Sequence, residues 1–170
     1  AQPVATAFPH LRLSTEHGNI VIQLRPDVAP KTCEALLDSI NSGAFSRTSF
    51  YRADRDYVLQ GGIYPKANPK YGNKDGKIPI PLEYSLPNKK GTVTMARWEA
   101  TDAADGEFFI NMNDNPNLDR TGDSGWTAGF AVVGEVVSGM DVAVKINHMG
   151  PLSAQNNVPF EITVIMHDEM

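Results

Sequence analysis

A single cysteine, Cys33, stands among the 170 residues, so the chain cannot form an internal disulfide. Positive charge is in the minority, 15 Lys and Arg against 20 Asp and Glu, and no basic block is longer than the pair Lys89-Lys90. That excludes the electrostatic footprint of a nucleic-acid binder. No apolar run approaches the roughly 20 residues a helix needs to cross a bilayer, so no membrane partner is expected. Histidine is scarce and scattered: His10, His17, His148 and His167 form no cluster with Cys at metal-ligand spacing. Asn113-Asp114-Asn115-Pro116-Asn117 superficially resembles a calcium loop but lacks the glycine at the sixth position and the glutamate at the twelfth. No metal site is expected. Gly-x-Ser-x-Gly elbows, phosphate loops and Asn-x-Ser/Thr sequons are also missing.

What is present suits one turn-rich domain. The length fits a single core, and 14 glycines and 12 prolines are too few for a disordered or collagenous chain. Residues 1–10 read as a loose arm and residues 11–170 as one domain. Leu11, Leu13 and Thr15 alternate with polar residues, His17-Gly18-Asn19 turns the chain, and Ile20, Ile22 and Leu24 alternate again, which predicts a β-hairpin. Over 30–43 the period changes. Cys33, Leu36, Leu37 and Ile40 fall at i, i+3, i+4 and i+7, one face of a helix with Pro30 in its first turn and Gly43 as its stop. Cys33 is thus expected in the core rather than as a reactive thiol. Further strands are expected at 48–52, 57–60, 92–97, 107–112 and 130–137, and a short helix over 139–147. Phe160, Ile162, Val164 and Met166 predict a last strand, and most of 62–90 reads as loop. The inventory is mainly β and points to a closed or nearly closed antiparallel barrel.

Four ordered segments carry more information. They are Phe50-Tyr51-Arg52 with Tyr57-Val58-Leu59-Gln60-Gly61-Gly62; Gly91-Thr92-Val93-Thr94-Met95-Ala96; Gly106-Glu107-Phe108-Phe109-Ile110-Asn111; and Phe130-Ala131-Val132-Val133-Gly134-Glu135-Val136, continuing to Gly139-Met140-Asp141-Val142. In this order and spacing they resemble the cyclophilin family of peptidyl-prolyl cis-trans isomerases. The resemblance spans roughly residues 11 to 165 and implies an eight-stranded antiparallel barrel capped by two α-helices. The insert after Leu118-Asp119 is longer than in short eukaryotic members and closer to the bacterial exported type. With a chain that begins Ala1-Gln2-Pro3, compatible with signal cleavage or with trimming, this favours a periplasmic or exported setting over a cytoplasmic one.

Residue by residue, the resemblance implies a groove on the outer face of the barrel. Arg52 falls on the catalytic arginine and Gln60 on the substrate-binding glutamine. Tyr57, Val58, Phe109 and Leu118 fall on the proline pocket, and Ala96 on the groove. Rotation about an X–Pro bond breaks no covalent bond, so no nucleophile, metal or cofactor is expected. A guanidinium that donates to the pyramidal imide nitrogen would favour the twisted state over the planar one. Several neighbours depart from the family pattern. Tyr51 stands for histidine, Val58 for methionine, Arg97 for asparagine, Glu107 for glutamine, Asn117 for tryptophan or phenylalanine, and Phe130 for histidine. Trp126, in the insert, either folds over the pocket or anchors its own loop. Acids (Glu99, Asp102, Asp105, Glu107, Asp114, Asp119, Asp123) outnumber the bases Arg97 and Arg120 between 97 and 123, so basic flanking residues are expected to favour a substrate. Two readings follow: an isomerase acting on proline peptides and unfolded segments, and a proline-peptide binding module or chaperone with weak or no turnover. A monomer is expected, with cyclosporin as a weak ligand because Asn117 replaces the rim aromatic.

Overall fold

In the computed structural model, residues 8–43, 45, 48–62, 81–97, 104–153 and 155–165 are described. The alternating segments become strands β1 (His10–Thr15), β2 (Gly18–Leu24), β3 (Thr48–Asp54), β4 (Val58–Gly62), β5 (Thr92–Arg97), β6 (Ala104–Asn111), β7 (Val132–Ser138) and β8 (Val158–Ile165). They form a closed barrel in the order β1-β2-β7-β5-β6-β4-β3-β8, with every neighbouring pair antiparallel. Helices α1 (Pro30–Asn41) and α2 (Met140–Asn147) complete it. His10, expected at the end of the arm, belongs to β1. His10 already pairs with Gln23 and Ile165, because the β1 ladder extends one residue further. Residues 1–7, most of the expected 62–90 loop (63–80) and Met166 lie outside the described residues.

Period-two alternation fills the barrel interior. Leu11, Leu13, Ile20, Ile22 and Leu24 are buried on one side of the hairpin, and Phe50, Leu59, Phe108, Ile110 and Phe160 complete the core. Each such side chain contributes about 1.5–3 kcal/mol on burial. The hairpin turns at Glu16 and His17, one residue earlier than expected, with Thr15 opposite Gly18. Gly18, at φ +126, lies where an added Cβ would come within 2.9 Å of Val142 Cγ2 on α2. Helix α1 starts at Pro30 as expected but ends at Asn41, and its buried face is Thr32, Cys33, Ala35, Leu36 and Ser39, leaving Leu37 and Ile40 half-buried. Its N-terminus is capped from afar. Glu83 Oε2 accepts from Lys31 N at 3.1 Å, while Glu83 Oε1 accepts from Thr32 N at 2.8 Å and Thr32 Oγ1 at 2.7 Å.

A buried polar network ties loops to the barrel, and the alternation pattern gave no hint of it. Asn111 Nδ2 donates to Asn88 Oδ1, Thr92 Oγ1 and Thr94 Oγ1 at 3.1, 2.9 and 3.2 Å. Asn115 Nδ2 donates to Asn111 Oδ1 and to Tyr57 O, both at 2.9 Å. Asn88 donates onward to Leu118 O and Asp119 Oδ1 at 3.2 and 3.0 Å through Nδ2. One connected set of carboxamides thus fixes the backbone at both Tyr57 and Leu118.

Two consequences are measurable. Asn111→Ala strands several buried partners and is expected to cost about 1–3 kcal/mol in urea unfolding. Burial pushes the Cys33 thiol up to about 12 from an ordinary 9.0. The folded state therefore holds the proton more tightly than the unfolded chain. The associated stability is complete below about pH 9 and is lost as pH rises toward 12. Native protein is expected to resist a thiol reagent at neutral pH and to react at once in denaturant. Rapid labelling without unfolding would contradict the burial.

Candidate functional site

A barrel filled by its own side chains leaves no room inside, so a binding site must use outward-facing residues. A cavity of about 290 Å³ lies on the outer face across β3, β4, β6 and β5. Two register irregularities border it. The β3–β4 register runs Phe50↔Gly61 and then Arg52↔Gln60, which leaves Tyr51 as an extra residue in a β-bulge. Phe50 points into the core, and strict alternation would send Arg52 there too. The bulge resets the phase and places Arg52 on the outer face beside Tyr51. A second shift lies between β5 and β6, where Met95 pairs with Phe108 and Arg97 with Ala104, and both Ala96 and Arg97 line the cavity.

Every residue nominated from the sequence lines this cavity except Asn117 and Trp126. Val58, 2% exposed, and Phe109, 5% exposed, form an apolar floor and wall, with Leu118 and Tyr57 alongside. Phe108 and Phe109 diverge as neighbours on a strand must. Phe108 meets Phe160 inside the barrel at 6.1 Å between ring centroids, and Phe109 meets Phe130 at 6.2 Å. Gly61 admits no side chain, since a Cβ there would fall 2.7 Å from Ser49 O and 3.0 Å from the Phe50 ring. It is a packing requirement at a negative φ, whereas Gly62 takes φ +117.

The polar side is a chain of directed bonds. Arg52 Nη1 donates to Gln60 Oε1 at 3.1 Å, and Arg52 Nη2 to Asp54 Oδ2 at 3.3 Å. Gln60 Nε2 donates to Glu107 Oε1 at 3.1 Å, and the Tyr51 hydroxyl donates to the same oxygen. Arg52 itself is half exposed, so its guanidinium is accessible from solvent.

Asn117 is exposed and stands at the rim, where its Nδ2 donates to the Tyr57 hydroxyl at 2.9 Å. Trp126 is 52% exposed and stacks on Phe130 at 6.0 Å and 22°, forming an outer layer behind the cavity wall. Arg97 holds the loop between them. Its Nε and Nη2 donate to Gly129 O at 3.0 and 2.7 Å, and Nη2 also donates to Gly125 O at 2.8 Å. Its guanidinium lies 5.5 Å from the Trp126 ring centroid and 4.9 Å from that of Phe130. Burial lowers the Arg97 pKa.

Four of the seven acids expected to favour basic substrates have their side chains among the described residues. Asp114 accepts from Lys90 N and Asp119 from Asn88 N, at 2.9 and 2.7 Å, and Asp123 is fully exposed. Glu107 lines the cavity. Glu99, Asp102 and the Asp105 side chain lie outside the described residues. Asp54 and the carboxamide network escaped the sequence reading. Asp54 was findable as the i+2 neighbour of Arg52 on one strand face.

The family profile described as cyclophilin type peptidyl-prolyl cis-trans isomerase/CLD matches residues 10–168. The chain is 39% identical over 157 residues to peptidyl-prolyl cis-trans isomerase B of Escherichia coli, covering 89% of this chain and 93% of that protein. It is 36% identical to peptidyl-prolyl cis-trans isomerase A of Dickeya dadantii, covering 95% of this chain and 84% of that one. In fold it matches the crystal structure of a Cryptosporidium parvum cyclophilin type peptidyl-prolyl cis-trans isomerase solved in the presence of the dipeptide Ala-Pro, with a TM-score of 0.75, 18% identity, and coverage of 92% of this chain and 98% of that chain. The chain belongs to the cyclophilin-type peptidyl-prolyl cis-trans isomerases, and its activity is the interconversion of cis and trans X–Pro bonds.

Proposed function

We propose that this isomerisation takes place in the outer-face cavity, with Arg52 as the catalytic donor and Gln60 as its holder. The observation that carries the reading is the Arg52 guanidinium, fixed by Gln60 and Asp54 at the edge of the apolar pocket of Val58, Phe109 and Leu118. The barrier to X–Pro rotation is about 20 kcal/mol because amide resonance resists twisting. Twisting makes the imide nitrogen pyramidal and basic. A guanidinium donor then gains a bond that the planar ground state offers poorly, which is differential stabilisation of the transition state. The apolar pocket holds the proline ring while the preceding carbonyl turns. Gln60 and Asp54 accept one N–H each from Arg52, so the guanidinium is oriented before substrate arrives and retains further donors.

Within this reading Tyr57, Ala96, Glu107 and Phe130 contact the bound peptide, and Arg97 acts mainly by fixing the 125–130 loop that carries Phe130. Asn117 forms the rim, and Trp126 backs Phe130. Proline-containing peptides and unfolded segments are the substrates, and the chain works as a monomer. Among the described residues the large exposed apolar side chains, Trp126, Val137 and Met149, lie in three separate stretches of the chain.

Arg52→Ala is expected to lower kcat/KM at least about ten-fold in a protease-coupled assay on an Ala-Pro peptide, since a charge-assisted bond is worth about 1.5–3 kcal/mol. The melting temperature should stay near that of the parent because the side chain is exposed. Unchanged turnover would remove Arg52 from the mechanism. Cyclosporin is expected to bind weakly compared with members that carry a rim tryptophan, because Asn117 offers little apolar area and its amide is engaged with Tyr57. Nanomolar inhibition that survives Trp126→Ala would overturn this.

A further inference from the structure

Tyr51 and Glu107 stand 56 positions apart in sequence, and they touch. The Tyr51 hydroxyl and Gln60 Nε2 both donate to Glu107 Oε1. An ionised carboxylate only accepts, and a guanidinium only donates. Gln60 lies between them, so its NH2 must face Glu107 and its carbonyl must face Arg52, as the two 3.1 Å contacts have it. A glutamine at 107 would present either end of its amide and leave Gln60 free to flip. Glutamate at 107 therefore selects one orientation of the group that holds Arg52.

That choice carries a liability. One carboxamide separates a carboxylate from the guanidinium that the reaction requires, and opposite charges at such range attract. A direct Arg52–Glu107 pair would occupy donors needed at the imide nitrogen and would displace Gln60. We propose that Tyr51 is a positioning residue that anchors the Glu107 carboxylate away from Arg52, so that the acid orients Gln60 without sequestering the guanidinium. The bulge makes this possible, since it sets the adjacent residues Tyr51 and Arg52 on the same outer face, where they reach the two ends of one relay. The proposal rests on Arg52 being the catalytic donor.

The test is a double-variant cycle on the isolated chain, read as kcat/KM on an Ala-Pro peptide and by melting temperature, with Arg52→Ala as reference. Tyr51→Phe is expected to lower kcat/KM about five-fold or more, mainly through kcat. Tyr51→Phe combined with Glu107→Gln is expected to recover to within about two-fold of Glu107→Gln alone, because the competing charge is gone. A structural role for Tyr51 would not be rescued by a change of charge at 107. If Tyr51→Phe does not fold, Tyr51→Met is a second non-donor with the same expectation. A Tyr51 variant at the parental rate, or a double variant as slow as the single, overturns the proposal. If Arg52→Ala also keeps the parental rate, the catalytic reading has failed. If Arg52→Ala is slow and the rescue is absent, only the role of Tyr51 has failed.

Discussion

Closure of the barrel by β8 is the constraint on which the remaining structure depends. β8 pairs with β1 on one side and β3 on the other, so no sheet edge is left open. Its Phe160 ring packs 4.5 Å from that of Phe50 and 6.1 Å from that of Phe108, which fills the interior. A closed eight-stranded barrel has space for little more than its own side chains. The consequence is functional. On the proposed reading the chemistry uses the outer face, where residues are half-exposed and a rigid sheet supplies their spacing.

An outer-face site needs walls that a sheet does not provide. Loops supply them here, and each is fixed by buried polar groups. The Asn88–Asn111–Asn115 network holds the backbone at Tyr57 and Leu118. Arg97 does the same for the loop that carries Phe130, through donors to Gly125 and Gly129 and through the two aromatic rings. A buried donor or acceptor left unpaired is costly, so these bonds resist loosening and keep the pocket shaped without a ligand.

The reaction asks for little beyond that shape. On the proposed mechanism its transition state differs from its ground state by a twist and a lone pair, so one well-placed donor and an apolar seat for the ring suffice. Val58 on the pocket floor and Glu107 beside Gln60 leave both the guanidinium and the seat in place.

Much of this was legible in one dimension. Hydrophobic alternation marked β1, β2 and β8, because burial on one face of a strand imposes period two whatever the surroundings. The opposed roles of Phe108 and Phe109 followed from the same rule. Ordered motifs named Arg52, Gln60 and their neighbours, although alternation alone would have buried Arg52 behind Phe50. Only the tertiary structure decided the bulge at Tyr51, because a bulge depends on the partner strand's register rather than on its own residues. Nor could the sequence show that Tyr51, Gln60 and Glu107 meet, that Glu83 caps a helix some fifty positions away, or that Arg97 serves a loop. Such contacts join groups distant along the chain. Local pattern records which face a side chain takes, and the fold determines what waits there.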